Sequence, residues 1–109
     1  MKMDYELKGD HLIVGKKELV TVTIEVDNPS EQIKRGAIIS ENGAIIVDGA
    51  EVFGVVAETP VNRTGKVRFA VYVEGDFNIE EVSYGSVSKD KIIKACKKTN
   101  IYLRTLGGK

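Results

Sequence analysis

This sequence predicts a mixed α+β domain that is mostly β, and three observations predict it. Apolar side chains recur at every second position over Leu19–Val26 and again over Lys66–Glu74, the period of a half-buried strand. Turn-forming pairs (Asn28-Pro29, Asn42-Gly43, Asp48-Gly49, Gly75-Asp76) punctuate the chain at short intervals. Only Lys89–Lys98 carries apolar residues at helical spacing. A chain of 109 residues has room for one core. With no Trp, three Phe and four Tyr, that core is thin, and oligomerisation is an expected supplement to its stability.

The elements follow in order. Residues 1–17 read as an N-terminal arm, mobile in the free protein. Tyr5, Leu7, Leu12, Ile13 and Val14 are separated by charges and by Gly9 and Gly15, and no helical face emerges. The arm ends in a short strand near His11–Val14, and a β-rich domain occupies residues 18–109. Leu19–Val26 is the first firm strand, with Val20, Val22, Ile24 and Val26 on one face. Pro29 ends it by removing a donor and restricting Asn28.

Gly36–Ser40 and Ala44–Val47 flank Asn42-Gly43, a pair suited to a hairpin. Val52–Ala57 is interrupted by Gly54, the mark of a bulge or of a close backbone approach. Thr59-Pro60 opens a loop that reaches Gly65, and Asn62-Arg63-Thr64 within it reads as a turn. Lys66–Glu74 is the longest strand of the second half, stopping at a Gly75-Asp76 turn. Ile79–Val82 is expected to form a single helical turn.

Ser88 caps the one clear helix, Lys89–Lys98, in which Ile92, Ile93 and Cys96 share a face. Late lysines suit the negative end of its dipole. Asn100 stops the helix, and Ile101–Leu103 is a last strand.

Charge is balanced overall but not locally. Residues 1–87 carry 9 Lys/Arg and 15 Asp/Glu, whereas residues 88–109 carry 7 and 1. The basic helix has no aromatic residue within it. It reads as self-neutralisation or subunit contact ahead of nucleic-acid binding, and no nucleic-acid partner is expected. A single cysteine, Cys96, rules out an internal disulfide. No stretch is apolar enough over sufficient length to serve as a signal peptide or to span a bilayer, so no membrane association is expected.

Catalytic chemistry is sparse. His11 is the sole histidine and Cys96 the sole thiol, too few for a zinc site. Cys96, on the inner side of the helix, is expected to behave as a small hydrophobe. Asp76 with Asn78, Glu80 and Glu81 lacks the alternation and the closing bidentate Glu of a calcium loop. The carboxylates Asp76, Glu80 and Glu81 are the best acid–base candidates, with no Trp in the chain to stack a sugar. Gly107-Gly108-Lys109 has no following helix and is not a phosphate loop. No catalytic residue, metal ligand or cofactor is expected, and the chain reads as a non-enzyme.

Four segments carry a family resemblance: Ile33-Lys34-Arg35-Gly36, Phe53-Gly54-Val55-Val56-Ala57-Glu58, Val71-Tyr72-Val73-Glu74-Gly75-Asp76-Phe77-Asn78, and the closing Ile93–Leu103 stretch. In order and spacing, over roughly residues 19–104, they resemble the head decoration proteins of tailed phages, specifically the lambda-type decoration protein family. The resemblance implies a small α/β domain that forms homotrimers on the outside of an expanded capsid, bracing the major capsid protein. It implies localisation to the virion surface after synthesis in the host cytoplasm. It further implies an N-terminal arm that becomes ordered on the shell, and Tyr5, Leu7, Leu12 and Ile13 are the candidate capsid contacts. Two other functions stand beside it: a non-catalytic β-rich module binding sugar or protein on a phage fibre or surface assembly, and a small hydrolase using Asp76 with Glu80 or Glu81.

Overall fold

The computed structural model describes residues 11–15 and 17–105. Five strands and one helix follow in the order β1 (Val20–Asp27), β2 (Ile38–Ser40), β3 (Val52–Val56), β4 (Lys66–Asn78), α1 (Lys89–Lys97) and β5 (Ile101–Arg104). The class is mixed α+β and mostly β, as the alternation patterns require. The strands form one sheet in the order β1-β4-β3-β2, with β5 also paired to β4.

β4 is the axis of this sheet. Its first half is flanked by β1, antiparallel from Val20↔Glu74 to Asp27↔Lys66. On its other side β3 pairs at Val55↔Tyr72 and Val56↔Val71. Its last four residues, Gly75–Asn78, pair in parallel with Ile101–Arg104. Across from β5, Ile13 bridges Phe77 in antiparallel fashion. β4 therefore exchanges both of its neighbours near Gly75.

The strand thus runs four residues past its expected end at Glu74, straight through the turn expected at Gly75-Asp76. The reason is the β4–α1–β5 succession: a strand, a helix and a strand in sequence can return a parallel neighbour to the first strand. That neighbour absorbs the backbone groups of residues 75–78, which a turn would have left to solvent. The adjustment is a bulge: Tyr72 and Glu74 pair with the adjacent residues Thr21 and Val20, leaving Val73 as the extra residue, and Gly75 follows at φ +152. Val67, Phe69 and Val71 lie in one apolar cluster, whereas Phe77 lies in the other. A regular strand would put all four odd-numbered residues on one face. The phase slips by one residue between Val73 and Phe77, and Gly75 lies in that interval.

Two clusters cover the two faces of the sheet. The first gathers Leu12, Ile38, Val55, Tyr72, Phe77, Ile92, Cys96 and Ile101 beneath α1. The second gathers Ile33, Ala37, Ile39, Val56, Val67, Phe69 and Val71. The loop after β1 covers part of this second face, and Arg63 ties it down by donating to the carbonyls of Ser30 and Ile33.

Local expectations are met in part. Asn42-Gly43 does make a hairpin, but Gly43 alone has positive φ, +83. Gly43 N–H donates to Ser40 O and Ser40 N–H to Ala44 O, both at 3.0 Å, the three-residue loop with a glycine bulge. Its return arm meets β2 at the isolated Ile39↔Ile45 bridge, with Ile46 N–H donating to Ile38 O at 2.9 Å, and is not a strand over Ala44–Val47. Gly54 marks a close approach: a Cβ there would meet Tyr72 O at 2.5 Å. Residues 79–81 form a turn, closed by Glu81 N–H donating to Asn78 O at 3.0 Å, in place of a helical turn. Ser88 Oγ accepts the Lys91 N–H at 3.4 Å as the N-cap, and Asn100 adopts φ +67 past the helix end.

A side chain at Gly75 has no room. Its Cβ would lie 2.6 Å from Leu19 Cδ2 and 2.9 Å from the Phe77 ring, on top of an unfavourable φ. Gly75→Val is expected to destabilise the fold by about 2 kcal/mol or more, read as a fall of roughly 10 °C in Tm. An unchanged Tm would refute the close packing of Leu19 and Phe77 on Gly75 as a requirement of the fold.

Candidate binding edge and the root of the arm

One edge of the sheet is built from two pieces in line, residues 12–14 and β1, both lying along β4. Asn78 N–H donates to Leu12 O at 2.8 Å and Val14 N–H donates to Asp76 O at 3.1 Å. Among the described residues, no strand pairs with the outer side of β1. β1 presents Val20 at 40% and Val22 at 36% exposure, with Ile24 and Val26 half-buried on the same face. Thr21, Thr23 and Glu25, on the opposite face, are exposed. The Val20–Thr23 stretch is thus exposed on both faces, while its alternating valines suit a covered face.

The four candidate contact residues of the arm are placed as follows. Tyr5 and Leu7 lie outside the described residues. Leu12 is 2% exposed and belongs to the first core cluster. Ile13 is half-buried, packs against the same cluster and bridges Phe77. Leu12 is therefore a core residue of this chain and is not presented to a partner. Sequence reasoning missed this because Leu12, Ile13 and Val14 are too few to show a period, and their burial depends on β4 continuing past Gly75.

Around the same root sits a cluster of charges. Asp76 is 5% exposed. Its Oδ2 accepts the Lys17 N–H at 3.3 Å, and its Oδ1 lies 3.4 Å from Arg104 Nε without accepting a hydrogen bond. Lys17 Nζ is 3.8 Å from Glu74 and 5.8 Å from the centre of the Tyr102 ring. Arg104 stands 5.9 Å from the same ring centre. Gly15 closes the arrangement, since a Cβ on it would fall 2.3 Å from Asp76 Oδ2.

Asp76 is thus occupied with the arm root. Glu80 and Glu81 are exposed beyond the strand end. Glu80 lines a shallow recess with Ile79, Tyr84 and Lys89, to which Asp76 does not contribute. The trio named as acid–base candidates shares no cavity. Among the described residues no group of three His, Cys, Asp or Glu is placed to hold a metal ion.

A second groove, of about 500 Å³, lies between α1 and the 46–52 loop, floored by Ile46, Val52 and Ile92 and rimmed by Lys91, Lys94 and Lys98. Lys91 is paired there with Asp48 at 3.0 Å. No helix among the described residues is long and apolar enough to cross a membrane.

Cys96 is fully buried beneath α1, whereas His11 is exposed. Burial pushes the thiol from 9.0 up to about 12, because the apolar surroundings penalise the thiolate. A protonated, covered thiol is a poor nucleophile. No protein-family model matches this chain, and no curated protein matches it significantly.

The thiol generates a prediction. Because the folded state holds this proton more tightly than the unfolded state, its contribution is complete below pH 9.0 and is lost as pH rises toward about 12. In denaturant titrations the native protein is expected to lose stability across that window more steeply than Cys96→Ala does. Its thiol should react with a disulfide reagent only on unfolding. Rapid labelling at pH 7 would contradict both.

Proposed function

We propose that this protein is a capsid decoration protein: a homotrimer that binds the outer surface of an expanded phage head, through the major capsid protein, and stabilises the shell without catalysing a reaction. The observation that carries the proposal is the outer edge of β1, with which no strand among the described residues pairs, and on which Val20 and Val22 are exposed. It occurs in a chain whose strand motifs resemble the lambda-type decoration family.

Natural proteins blunt free edges with lysine, proline or short strands. β1 runs for eight residues without lysine or proline, its charges Glu25 and Asp27 lying in the half away from Val20 and Val22, so the Val20–Thr23 stretch of the edge suits a partner. Ahead of it, the sequence alternates Met3, Tyr5 and Leu7 with Asp4 and Glu6, a pattern suited to joining a partner's sheet by strand addition. Main-chain hydrogen bonds supply affinity in that mode, and the alternate side chains supply register. A trimer multiplies the effect, because once one arm is seated the other two bind at high effective concentration.

The acidic body and basic helix of neighbouring copies add complementarity that sets orientation more than affinity. The same geometry lends less to the hydrolase reading, since the Asp76 carboxylate is taken up by Lys17 and Arg104.

Truncation separates the arm from the fold. Deleting residues 1–10 is expected to leave Tm within about 2 °C while abolishing co-sedimentation with expanded phage heads. Deleting residues 1–17 removes Leu12 as well and should cost about 2–5 kcal/mol of stability. If the intact chain ignores expanded heads at saturating concentration, the proposal fails. If the shorter truncation binds as well as the intact chain, the arm has no part in it.

A further inference from the structure

Asp76 is a nearly buried carboxylate that neither packs a core nor serves any reaction derived above. One oxygen takes the Lys17 N–H and the other faces Arg104, while its own carbonyl takes the Val14 N–H at 3.1 Å. Lys17 and Arg104 enter from opposite sides of β4: residues 12–14 continue the β1 side, and β5 lies on the other. Both cations stand over the ring of Tyr102.

We propose that Asp76 is the positioning residue of the arm. It clasps Val14, Gly15 and Lys17 to the end of β4 and couples that root to the C-terminal strand through Arg104. This rests on the decoration reading for its purpose, which is to launch the arm toward the shell from a fixed point instead of trailing it from β1.

Three features set the clasp apart from ordinary packing. A buried carboxylate without a charge partner is costly, so Asp76 requires Arg104. Gly15, at φ +74, lets the backbone come closer to the carboxylate than any side chain would allow. Arg104 is half-exposed and makes its contact from the far side of β4, so its removal leaves both core clusters intact.

The test is amide hydrogen exchange on the full chain, comparing Asp76→Asn, Arg104→Gln and Arg104→Lys with the parent. Exchange at Val14 and Lys17 is expected to rise about tenfold in the first two variants and to stay near the parent rate in Arg104→Lys, which keeps the charge. Exchange at Val71 in the core of β4 should hold within about twofold in all three. Trypsin cleavage after Lys17 should follow the same ranking.

Unchanged exchange at Val14 and Lys17 in Arg104→Gln would overturn the proposal. So would a rise shared equally by Val71, which would mean general loss of stability. These readouts need no capsid, so failure of the parent protein to bind heads would count against the decoration reading while the clasp is judged on exchange alone.

Discussion

The whole arrangement depends on finding backbone partners for one central strand of thirteen residues. β4 is too long for any single neighbour in this chain. Its first half is served by β1 and β3 and its second by residues 12–14 and β5. The exchange is possible because the bulge at Val73 shifts the side-chain phase, sending Phe77 to the layer beneath α1 while Phe69 and Val71 stay in the other. Every polar backbone group of a buried strand must find a partner. That requirement pulls in the N-terminal segment on one side and the C-terminal segment on the other.

Both ends of the described chain therefore meet at the same place. Leu12 enters the core beside Phe77, and Ile101 enters it from β5. Asp76 sits between them with its carboxylate divided between Lys17 and Arg104. A carboxylate nearly removed from water is stable only when charge and hydrogen bonds compensate its lost hydration. Here the compensation comes from residues 59 and 28 positions away in sequence. The clasp and the partner exchange are two expressions of one constraint, which is how to end a long central strand without leaving it open.

The contrast with β1 carries the functional reading. At the Gly75 end both edges are paired, whereas along β1 no strand among the described residues covers the outer edge, and Val20 and Val22 are a third or more exposed. A chain with a thin core and an unprotected edge gains from association, and the decoration reading provides an association of that kind. It assigns the chain a mechanical part, in which strand edges and an arm join neighbours, and it leaves the buried thiol and the occupied carboxylate without chemical work.

Much of the fold was legible from residues alone. The alternation in Leu19–Val26 and Lys66–Glu74, the Ser88 cap and the Asn100 stop act through nearest neighbours, and a local signal suffices to read them. What tertiary structure decided were the choices that need two distant segments at once. The Gly-Asp step at 75–76 looks like a turn to any local rule. It continues as strand only because β5 returns alongside it. Leu12 resembles an arm residue until β4 extends far enough to bury it. Asp76 resembles a solvated turn carboxylate or half of an acid pair, and it becomes a clasp only where Lys17 and Arg104 converge. Short-range periodicity states what each segment prefers. Pairing and burial are settled between segments, and there the long central strand had the final choice.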